Sequence, residues 1–364
     1  MDRTLQALFA LLQAGLWGRY DDAAASVFPL SAEEWERVFI LARQQTVTGI
    51  AFRGLDFLPE EAAPPMVVAA KWMAHADRIE QSNRIMNGTV AKLYGHFASA
   101  GVEAVLQKGQ GVAAMYPEPL LRECGDIDLY FHGHDGVSDP LAGIPGAVRK
   151  RQPDNSWSYL VDGIVVEHHA DLVDIQCPRA KRYVKRLIEE KGFQKVVTGD
   201  GVEVMVPAPE VNLLLLSSHI LKHAFGVGIG LRQFCDYAVA LRYYEGRVNE
   251  EEMRKIWKKT GLGKWQWLLE EFIGRDNKDL QDDSHSERSE ESFDKKKTGV
   301  LLDIVLKGGN FGVYSEDREN ASHARWARKV QTFKSLAGNV HFAFRYAPRE
   351  WFWTIVQLLG GQFR

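Results

Sequence analysis

Two aspartates in one apolar segment are the first residues that indicate chemistry. Residues 125–131, GDIDLYF, read as a β-strand that carries Asp126 and Asp128. Successive side chains of a strand point to opposite faces, so the two carboxylates project from the same face. They repel each other unless a cation neutralises them. The pair therefore predicts a site for a hard divalent metal ion, typically Mg²⁺.

A third carboxylate, Glu167, lies in a predicted β-hairpin. Two β-rich runs flank Asp162-Gly163, a dipeptide typical of two-residue type I′ turns. Alternation along the second run puts Val165, Glu167 and His169 on one face. If this strand lies beside the aspartate strand, at about 4.8 Å, Glu167 completes a site of three carboxylates. Such a site can hold two Mg²⁺ ions about 3.5–4 Å apart.

Lys108 and Gly109 supply what a phosphate group needs. They follow a short apolar strand predicted at 102–107 and begin a small helix. A glycine turn that leads into a helix exposes backbone N–H groups to phosphate oxygens. Beside a metal site, this turn favours phosphoryl or nucleotidyl transfer.

The Asp-x-Asp pair also has a structural interpretation, because such pairs occur often by chance at solvated strand ends. Here Asp126 and Asp128 stand among apolar neighbours, where a carboxylate without a partner is costly. Their surroundings favour the functional interpretation.

These residues together resemble the nucleotidyltransferase superfamily with the polymerase-β-type palm. More narrowly, they resemble the bacterial family called uncharacterised nucleotidyltransferases. The resemblance covers about 102–312 and rests on Lys108-Gly109, Tyr116-Pro117, Arg122, Gly125-Asp126-Ile127-Asp128, Val166-Glu167-His168-His169, His219, His223, Gly230-Leu231-Arg232, Asp236 and Gly308-Gly309-Asn310-Phe311-Gly312. It implies transfer of a nucleoside monophosphate from an NTP such as ATP to a hydroxyl acceptor, with release of pyrophosphate. The acceptor, whether a small molecule, a sugar or a protein, is not predicted.

The resemblance implies metal-binding roles for the three carboxylates. Asp126 and Asp128 would bind two Mg²⁺ ions, or Mn²⁺ ions in their stead. Glu167 would hold the catalytic metal and help to lower the pKa of the acceptor hydroxyl.

The resemblance also implies nucleotide-binding roles. Lys108-Gly109-Gln110-Gly111 stands where the superfamily usually has Gly-Ser. Lys108 would therefore replace the serine contact, and the turn from Gly109 to Gly111 would cradle the triphosphate. The other residues expected to face the nucleotide or the acceptor are Arg122, His169, His223 and Arg232.

Three other functions fit parts of the sequence. A metal-dependent glycosyltransferase also uses Asp-x-Asp at a strand end, but it does not need Glu167. A non-catalytic nucleotide-binding or toxin-neutralising module would keep the fold without turnover, and the three carboxylates argue against it. A membrane-associated protein would depend on the basic, aromatic tail from Ala321 onward. For that tail, core packing with a basic outer face is favoured over contact with a membrane surface.

Two residue pairs on the predicted C-terminal helices have structural alternatives. His219 and His223 share one helix face and bind Zn²⁺ only with a third ligand, so a buried, hydrogen-bonded role for one of them is favoured. Arg232 and Asp236 have the spacing of an ion pair on a helix surface.

Three regions are expected to position these residues. Residues 101–208 form the palm, a mixed or antiparallel sheet with helices, and residues 209–364 form a helical region with a mobile polar insertion at about 275–297. Together they predict an α+β fold, a polymerase-β-like palm flanked by helical regions. Residues 1–100 read as helical, with a capping box at Ser31 and Glu34 and an apolar stripe of Trp72, Ile79, Met86, Val90, Leu93 and Phe97.

The composition is typical of a soluble globular protein. The 364 residues have a formal net charge of −3, without the basic excess typical of nucleic-acid binding, and 45% of them are hydrophobic. Three widely spaced cysteines lack metal-ligand spacing and fit a reducing cytoplasm. The apolar N-terminal run is expected to be a core helix rather than a signal peptide. An NTP and its acceptor are the expected partners, and the oligomeric state is not predicted.

Overall fold

A computed structural model of the chain describes residues 2–20, 26–133, 144, 148–151, 157–226, 228–274, 295–308 and 338–360. The chain divides into two compact units. The first comprises Met1–Leu172 and Phe193–Ala208, and the second comprises Val173–Gly192 and Pro209–Arg364. The predicted division at 100 and 208 stays a prediction.

The N-terminal part of the first unit is helical. Its helices are α1 (Arg3–Trp17), α2 (Ala32–Gln44), α3 (Thr48–Leu55) and α4 (Met66–Ser99). The predicted capping box at the start of α2 is confirmed. The Glu34 N–H donates to Ser31 Oγ at 3.2 Å, and the Ser31 N–H donates to a Glu34 carboxylate oxygen at 2.8 Å.

Two glycines let α1 and α3 approach closely. A Cβ added at Gly15 would lie 2.0 Å from the Ile50 carbonyl oxygen, and one added at Gly54 would lie 2.2 Å from the Leu11 carbonyl oxygen. Real side chains do not fit at such distances, so the packing of α1 on α3 requires glycine at both positions.

The first unit also contains a mixed sheet. Its seven described strands have the order β3-β4-β5-β2-β1-β7-β6, in which β2–β5 and β1–β7 are parallel and the other pairs are antiparallel. This sheet and its helices confirm the predicted α+β class. The strands are β1 (Ala104–Leu106), β2 (Asp126–Phe131), β3 (Val148–Arg151), β4 (Trp157–Val161), β5 (Ile164–His168), β6 (Phe193–Val197) and β7 (Glu203–Pro207).

The core of the first unit lies between α4 and one face of this sheet. The stripe predicted for α4 is confirmed, because all six of its residues are buried. Its C-terminal part packs against Ile127, Leu129 and Phe131 of β2. Because side chains alternate along a strand, Asp126 and Asp128 lie on the opposite face of the sheet.

The two predicted hairpins are confirmed. Asp162 and Gly163 have φ angles of 50° and 82°, the positive values that a type I′ turn requires, and they join antiparallel β4 and β5. Strands β6 and β7 pair in the same antiparallel manner. Pro207 ends β7, as expected from its missing N–H.

The second unit consists of helices in its described residues. After the four-residue α5 of the first unit (Gln110–Ala113), these are α6 (Pro178–Lys191), α7 (Pro209–Phe225), α8 (Leu231–Tyr243), α9 (Glu250–Thr260), α10 (Gly263–Phe272), α11 (Lys295–Gly308), α12 (Val340–Tyr346) and α13 (Pro348–Gly360).

Parts of the predicted C-terminal region fall outside the described residues. Most of the mobile insertion predicted at about 275–297 is among them, while residues 295–297 open α11. The predicted turn at 309–312 and the basic residues up to 337 are also outside. In the described part of the chain, no helix has the length and apolar character needed to cross a bilayer.

Candidate functional site

The site is built on three adjacent strands of the sheet, β5, β2 and β1. Asp128 of β2 is the direct register partner of Glu167 on parallel β5. Partners on parallel strands project from the same face, so the two carboxylates lie side by side. The expectation that the Glu167 strand neighbours the aspartate strand is therefore confirmed.

Three side chains converge on this face of the sheet. Among the described residues, Asp128, Glu167 and His169 each offer a ligand atom, and these atoms all lie within 4.8 Å of one another. His169 Nε2 is 2.6 Å from Asp128 Oδ1 and 3.5 Å from Glu167 Oε2. The imidazole thus bridges the two carboxylates.

Backbone hydrogen bonds hold His169 in this position. Its N–H donates to the Leu129 carbonyl at 2.9 Å, which continues the pairing of β5 with β2 beyond the end of β5. On the other side of β2, the Gln107 N–H donates to the Asp128 carbonyl at 3.1 Å. Residues that follow β1 and β5 therefore approach Asp128 from both sides.

Lys108 makes an ion pair with the buried aspartate. Its Nζ lies 3.1 Å from Asp128 Oδ2, and the side chains are only 16% and 7% exposed, respectively. A carboxylate so shielded from water needs a compensating charge, which Lys108 supplies. Lys108 was predicted to contact the triphosphate, and its ion pair with Asp128 was not predicted.

The carboxyl groups of Asp128 and Glu167 have pKa values displaced in opposite directions. Burial disfavours ionised Asp128, but the Lys108 charge and the His169 hydrogen bond together hold its pKa well below the usual range. Burial and then the Asp128 charge raise the pKa of Glu167, with a smaller contribution from Asp126. Two crowded carboxylates that disfavour each other's ionisation are a donor set that a divalent cation would stabilise.

Asp126 was predicted as a metal ligand and His169 as a nucleotide contact. Asp126 lies two residues before Asp128 on the same face of β2, near enough for its charge to raise the Glu167 pKa. The three ligand atoms that lie within 4.8 Å of one another belong to Asp128, Glu167 and His169. The ligand role of Asp126 stays a prediction.

Glycine is favoured at both Gly109 and Gly111 of the Lys108 turn, for different structural reasons. Gly109 has φ 54° and ψ −123°, a conformation that side chains disfavour, and a Cβ there would lie 3.3 Å from the Asp126 carbonyl oxygen. Gly111 is buried, and a Cβ there would lie 2.7 Å from Val206 Cγ1. The Gly111 N–H donates to the Lys108 carbonyl at 3.1 Å. Contact of either residue with a triphosphate stays a prediction.

Arg122 belongs to a buried polar network in front of β2. It is 4% exposed, and its guanidinium lies 2.9 Å from Cys124 Sγ. Asn83 of α4 donates to the Arg122 carbonyl at 2.9 Å, and Gln110 Nε2 donates to Asn83 Oδ1 at 3.2 Å. This network anchors the segment that leads to Asp126.

The Asn83 network was not predicted, although the sequence of α4 contains a signal for it. Asn83 and Asn87 interrupt the apolar stripe of α4 at positions that face the core. Polar residues on a buried helix face need hydrogen-bond partners, so these two asparagines mark a specific contact.

His223 and Arg232 lie in the second unit, on α7 and at the start of α8. The rings of His219 and His223 contact each other, with centroids 4.5 Å apart. Roles for His223 and Arg232 toward a nucleotide stay predictions.

Comparison with known proteins gives one family match. The model of a family described as "Uncharacterised nucleotidyltransferase" matches residues 31–270, about two thirds of the chain. This span includes all strands of the sheet and every candidate site residue. No curated protein and no solved structure matches the chain.

Proposed function

Since the chain belongs to the uncharacterised nucleotidyltransferase family, we propose that it is a Mg²⁺-dependent nucleotidyltransferase. It transfers a nucleoside monophosphate from an NTP to a hydroxyl acceptor and releases pyrophosphate. The observation that carries this proposal is the convergence of Asp128, Glu167 and His169, whose ligand atoms lie within 4.8 Å of one another.

The donor set suits a hard divalent cation. Carboxylate oxygens are the ligands that Mg²⁺ and Mn²⁺ prefer, so Asp126, Asp128 and Glu167 are the proposed ligands. His169 has a supporting role, since its 2.6 Å contact orients the Asp128 carboxylate. When bound, such cations would neutralise the carboxylates, polarise the phosphate and lower the pKa of the acceptor hydroxyl.

The palm of the polymerase-β-like nucleotidyltransferases is the proposed fold of the first unit. Its support is an Asp-x-Asp on β2, a glutamate in register on parallel β5, and a lysine-glycine turn after β1. The acceptor is a small hydroxylated metabolite, a sugar or a protein side chain.

The other predicted residues either contact the substrates or support the residues that do. Lys108 and Gly109 contact the triphosphate, whereas buried Arg122 acts through the backbone in front of Asp126. His223 and Arg232 are proposed to contact the nucleotide or the acceptor. The proposed compartment is the cytoplasm, where cysteines such as Cys124, Cys177 and Cys235 remain thiols.

The test uses each of four α-labelled NTPs with Mg²⁺ in a lysate of the source cell, which supplies the acceptor. Wild type is compared with Asp126→Asn/Asp128→Asn and with Asp162→Asn as a control for removing a carboxylate from the same sheet. Asp162 is an exposed turn residue that pairs with Lys92 at 2.5 Å. We expect labelled product and pyrophosphate from wild type and Asp162→Asn, and a loss of about 10³-fold or more in the double variant.

The product distinguishes the rival functions. Its size tells whether the acceptor is a protein or a metabolite. Absence of labelled product while NTP binding persists would favour a non-catalytic nucleotide-binding module. Transfer from a sugar nucleotide without pyrophosphate release would instead indicate a glycosyltransferase.

A further inference from the structure

Both oxygens of the Asp128 carboxylate are already in contact with nitrogen groups of the protein. Oδ2 lies 3.1 Å from Lys108 Nζ, and Oδ1 lies 2.6 Å from His169 Nε2. The Asp128 side chain is 7% exposed, so its charge is compensated mainly by the protein.

This arrangement conflicts with direct metal binding at Asp128. A divalent ion coordinated by Oδ2 would lie next to the Lys108 ammonium, and two cations on one oxygen repel each other. The ion therefore binds at full strength only when Lys108 moves. A lysine has a flexible four-carbon stem, so its ammonium can change partners without a change in the backbone.

A triphosphate is an anion that can receive the displaced ammonium. Lys108 is followed by Gly109, whose φ of 54° turns the chain into α5. A Cβ added at Gly109 would lie 3.3 Å from the Asp126 carbonyl oxygen, so this turn lies against β2. An NTP that shares the metal with Asp128 would bring its phosphates close to this turn. The same lysine can then neutralise Asp128 in one state and a phosphate in the other.

We propose that Lys108 is an exchangeable counter-ion that couples metal binding to nucleotide binding. Without nucleotide it neutralises Asp128 and competes with the metal. When metal and NTP bind together, it moves from Asp128 to the triphosphate. This inference rests on the proposed function and makes Lys108 a positioning residue as well as a phosphate contact.

The proposal has a thermodynamic signature. If nucleotide removes the competitor, it must tighten metal binding, and metal must tighten nucleotide binding by the same factor. Removing the ammonium should strengthen binding of metal alone, weaken binding of nucleotide and reduce the coupling between them. A lysine that only contacted phosphate would change nucleotide affinity alone.

The experiment measures Mn²⁺ binding to the full chain by electron paramagnetic resonance, with and without a non-hydrolysable NTP analogue. The variants are Lys108→Met, Lys108→Gln and Lys108→Arg. The matched control is Lys92→Met, which removes the same charge from α4 at the hairpin turn. Lys92 pairs with Asp162, which precedes Glu167 by five residues, roughly 16 Å along an extended strand. The control therefore removes a lysine charge that lies away from the carboxylate site.

In wild type and Lys92→Met, we expect the analogue to tighten Mn²⁺ binding by about tenfold or more. In Lys108→Met and Lys108→Gln, Mn²⁺ alone should bind about tenfold tighter than in wild type. The analogue should then tighten Mn²⁺ binding by a smaller factor than in wild type, because only the direct contact of phosphate with metal still couples the two ligands. Lys108→Arg keeps the charge and should keep the weak binding of metal alone. Circular dichroism identifies any variant that fails to fold. Because Lys108→Met and Lys108→Gln both remove the charge, either one tests the inference if the other does not fold.

Unchanged Mn²⁺ affinity in folded Lys108→Met and Lys108→Gln, with coupling intact, would overturn the inference. If wild type nevertheless shows Mg²⁺-dependent label transfer, the proposed function would still hold and only the role of Lys108 would be wrong. Absence of Mn²⁺ binding in every protein, even with the analogue, would contradict the metal-dependent function and the inference together.

Discussion

Asp128 and Glu167 are register partners on the parallel strands β2 and β5, and their side chains leave the sheet on the same face. Burial disfavours both charges, but Lys108 and His169 overcome it at Asp128 and hold that pKa low. At Glu167, burial and the Asp128 charge raise the pKa. Of the two carboxylates, Glu167 is therefore the one whose charge the protein compensates less, and a bound cation would favour its ionised form.

Glu167→Gln should remove nucleotidyl transfer while the sheet remains folded. The amide preserves the shape of the side chain but lacks the charge that holds a divalent cation. We expect transfer to fall by about 10²-fold or more, measured as label incorporation at saturating NTP.

The matched control for this change is Glu203→Gln. Glu203 is an exposed residue of β7 that pairs with Lys195 at 2.7 Å. It should transfer label at the wild-type rate. Activity of Glu167→Gln within threefold or so of wild type would exclude a ligand role for Glu167.

Gly54→Ala should destabilise the first unit. The new methyl carbon would lie 2.2 Å from the Leu11 carbonyl oxygen, so α1 and α3 must separate and lose packing between them. We expect a loss of about 3 kcal/mol or more in the free energy of unfolding, measured by urea denaturation.

Gly88→Ala is the matched control, because Gly88 lies on α4 with nothing within 4 Å of its added Cβ. Alanine has the higher helix propensity, so this variant should gain about 1 kcal/mol. Equal stability of the two variants would show that the close approach of α1 and α3 is not needed.

Local signals in the sequence predicted the parts of the fold that depend on neighbouring residues. The Asp162-Gly163 turn requires positive φ at both positions, and this dipeptide tolerates it. Alternation correctly grouped Glu167 with His169, because every second side chain of a strand shares a face. The stripe of α4 was equally readable from its helical period.

Contacts between distant segments could not be read in the same way. The ion pair of Lys108 with Asp128 depends on β1 lying beside β2, and strand order is decided by packing of the whole sheet. His169 was placed on the correct face, but its contact with Asp128 depends on the parallel register of β5. The close packing of α1 on α3 is marked in the sequence only by glycines. Glycine also occurs in turns and helix ends, so these residues alone do not identify a contact between two helices.

Asn83→Ala should weaken the site through the backbone. Asn83 Nδ2 donates to the carbonyls of Leu120 at 2.6 Å and Arg122 at 2.9 Å, just before β2. Without these bonds, the buried Arg122 carbonyl and the partly buried Leu120 carbonyl lose a donor, at a cost of about 1–3 kcal/mol in the free energy of unfolding. The segment that leads to Asp126 should also loosen, so transfer activity should fall under conditions in which the variant is still folded.

Gln81→Ala on the exposed face of the same helix is the control. It should change neither stability nor activity. If Asn83→Ala lost stability but kept full activity per folded molecule, the network would serve the fold alone.

Glu350→Gln should change how the stability of the second unit depends on pH. The Glu350 carboxylate on α13 accepts hydrogen bonds from the N–H groups of Gln176 and Cys177, the latter at 3.1 Å. Burial raises the pKa of Glu350 above the ordinary 4.5, and the charge of Asp174 raises it further. The two hydrogen bonds lower this pKa but do not cancel the effect of burial. The folded state therefore binds this proton more tightly than the unfolded state does.

The sign of the effect follows from that difference. The contribution of protonated Glu350 is fully present below pH 4.5 and is lost as the pH rises through the folded-state pKa. Glutamine does not titrate and resembles the protonated form, so relative to wild type the variant should gain stability as the pH rises from 4.5 through the folded-state pKa. Urea denaturation of both full chains across this range measures the difference, in which the other titrating groups cancel.

Glu251→Gln gives a control of opposite sign. The hydrogen bond and charge of Lys255 lower the pKa of exposed Glu251, so its ionised form stabilises the fold. That contribution is present above the ordinary pKa and is lost as the pH falls. Relative to wild type, Glu251→Gln should therefore lose stability as the pH rises, whereas Glu350→Gln gains it. Parallel curves for Glu350→Gln and wild type would mean that Glu350 binds its proton equally well in the folded and unfolded chains.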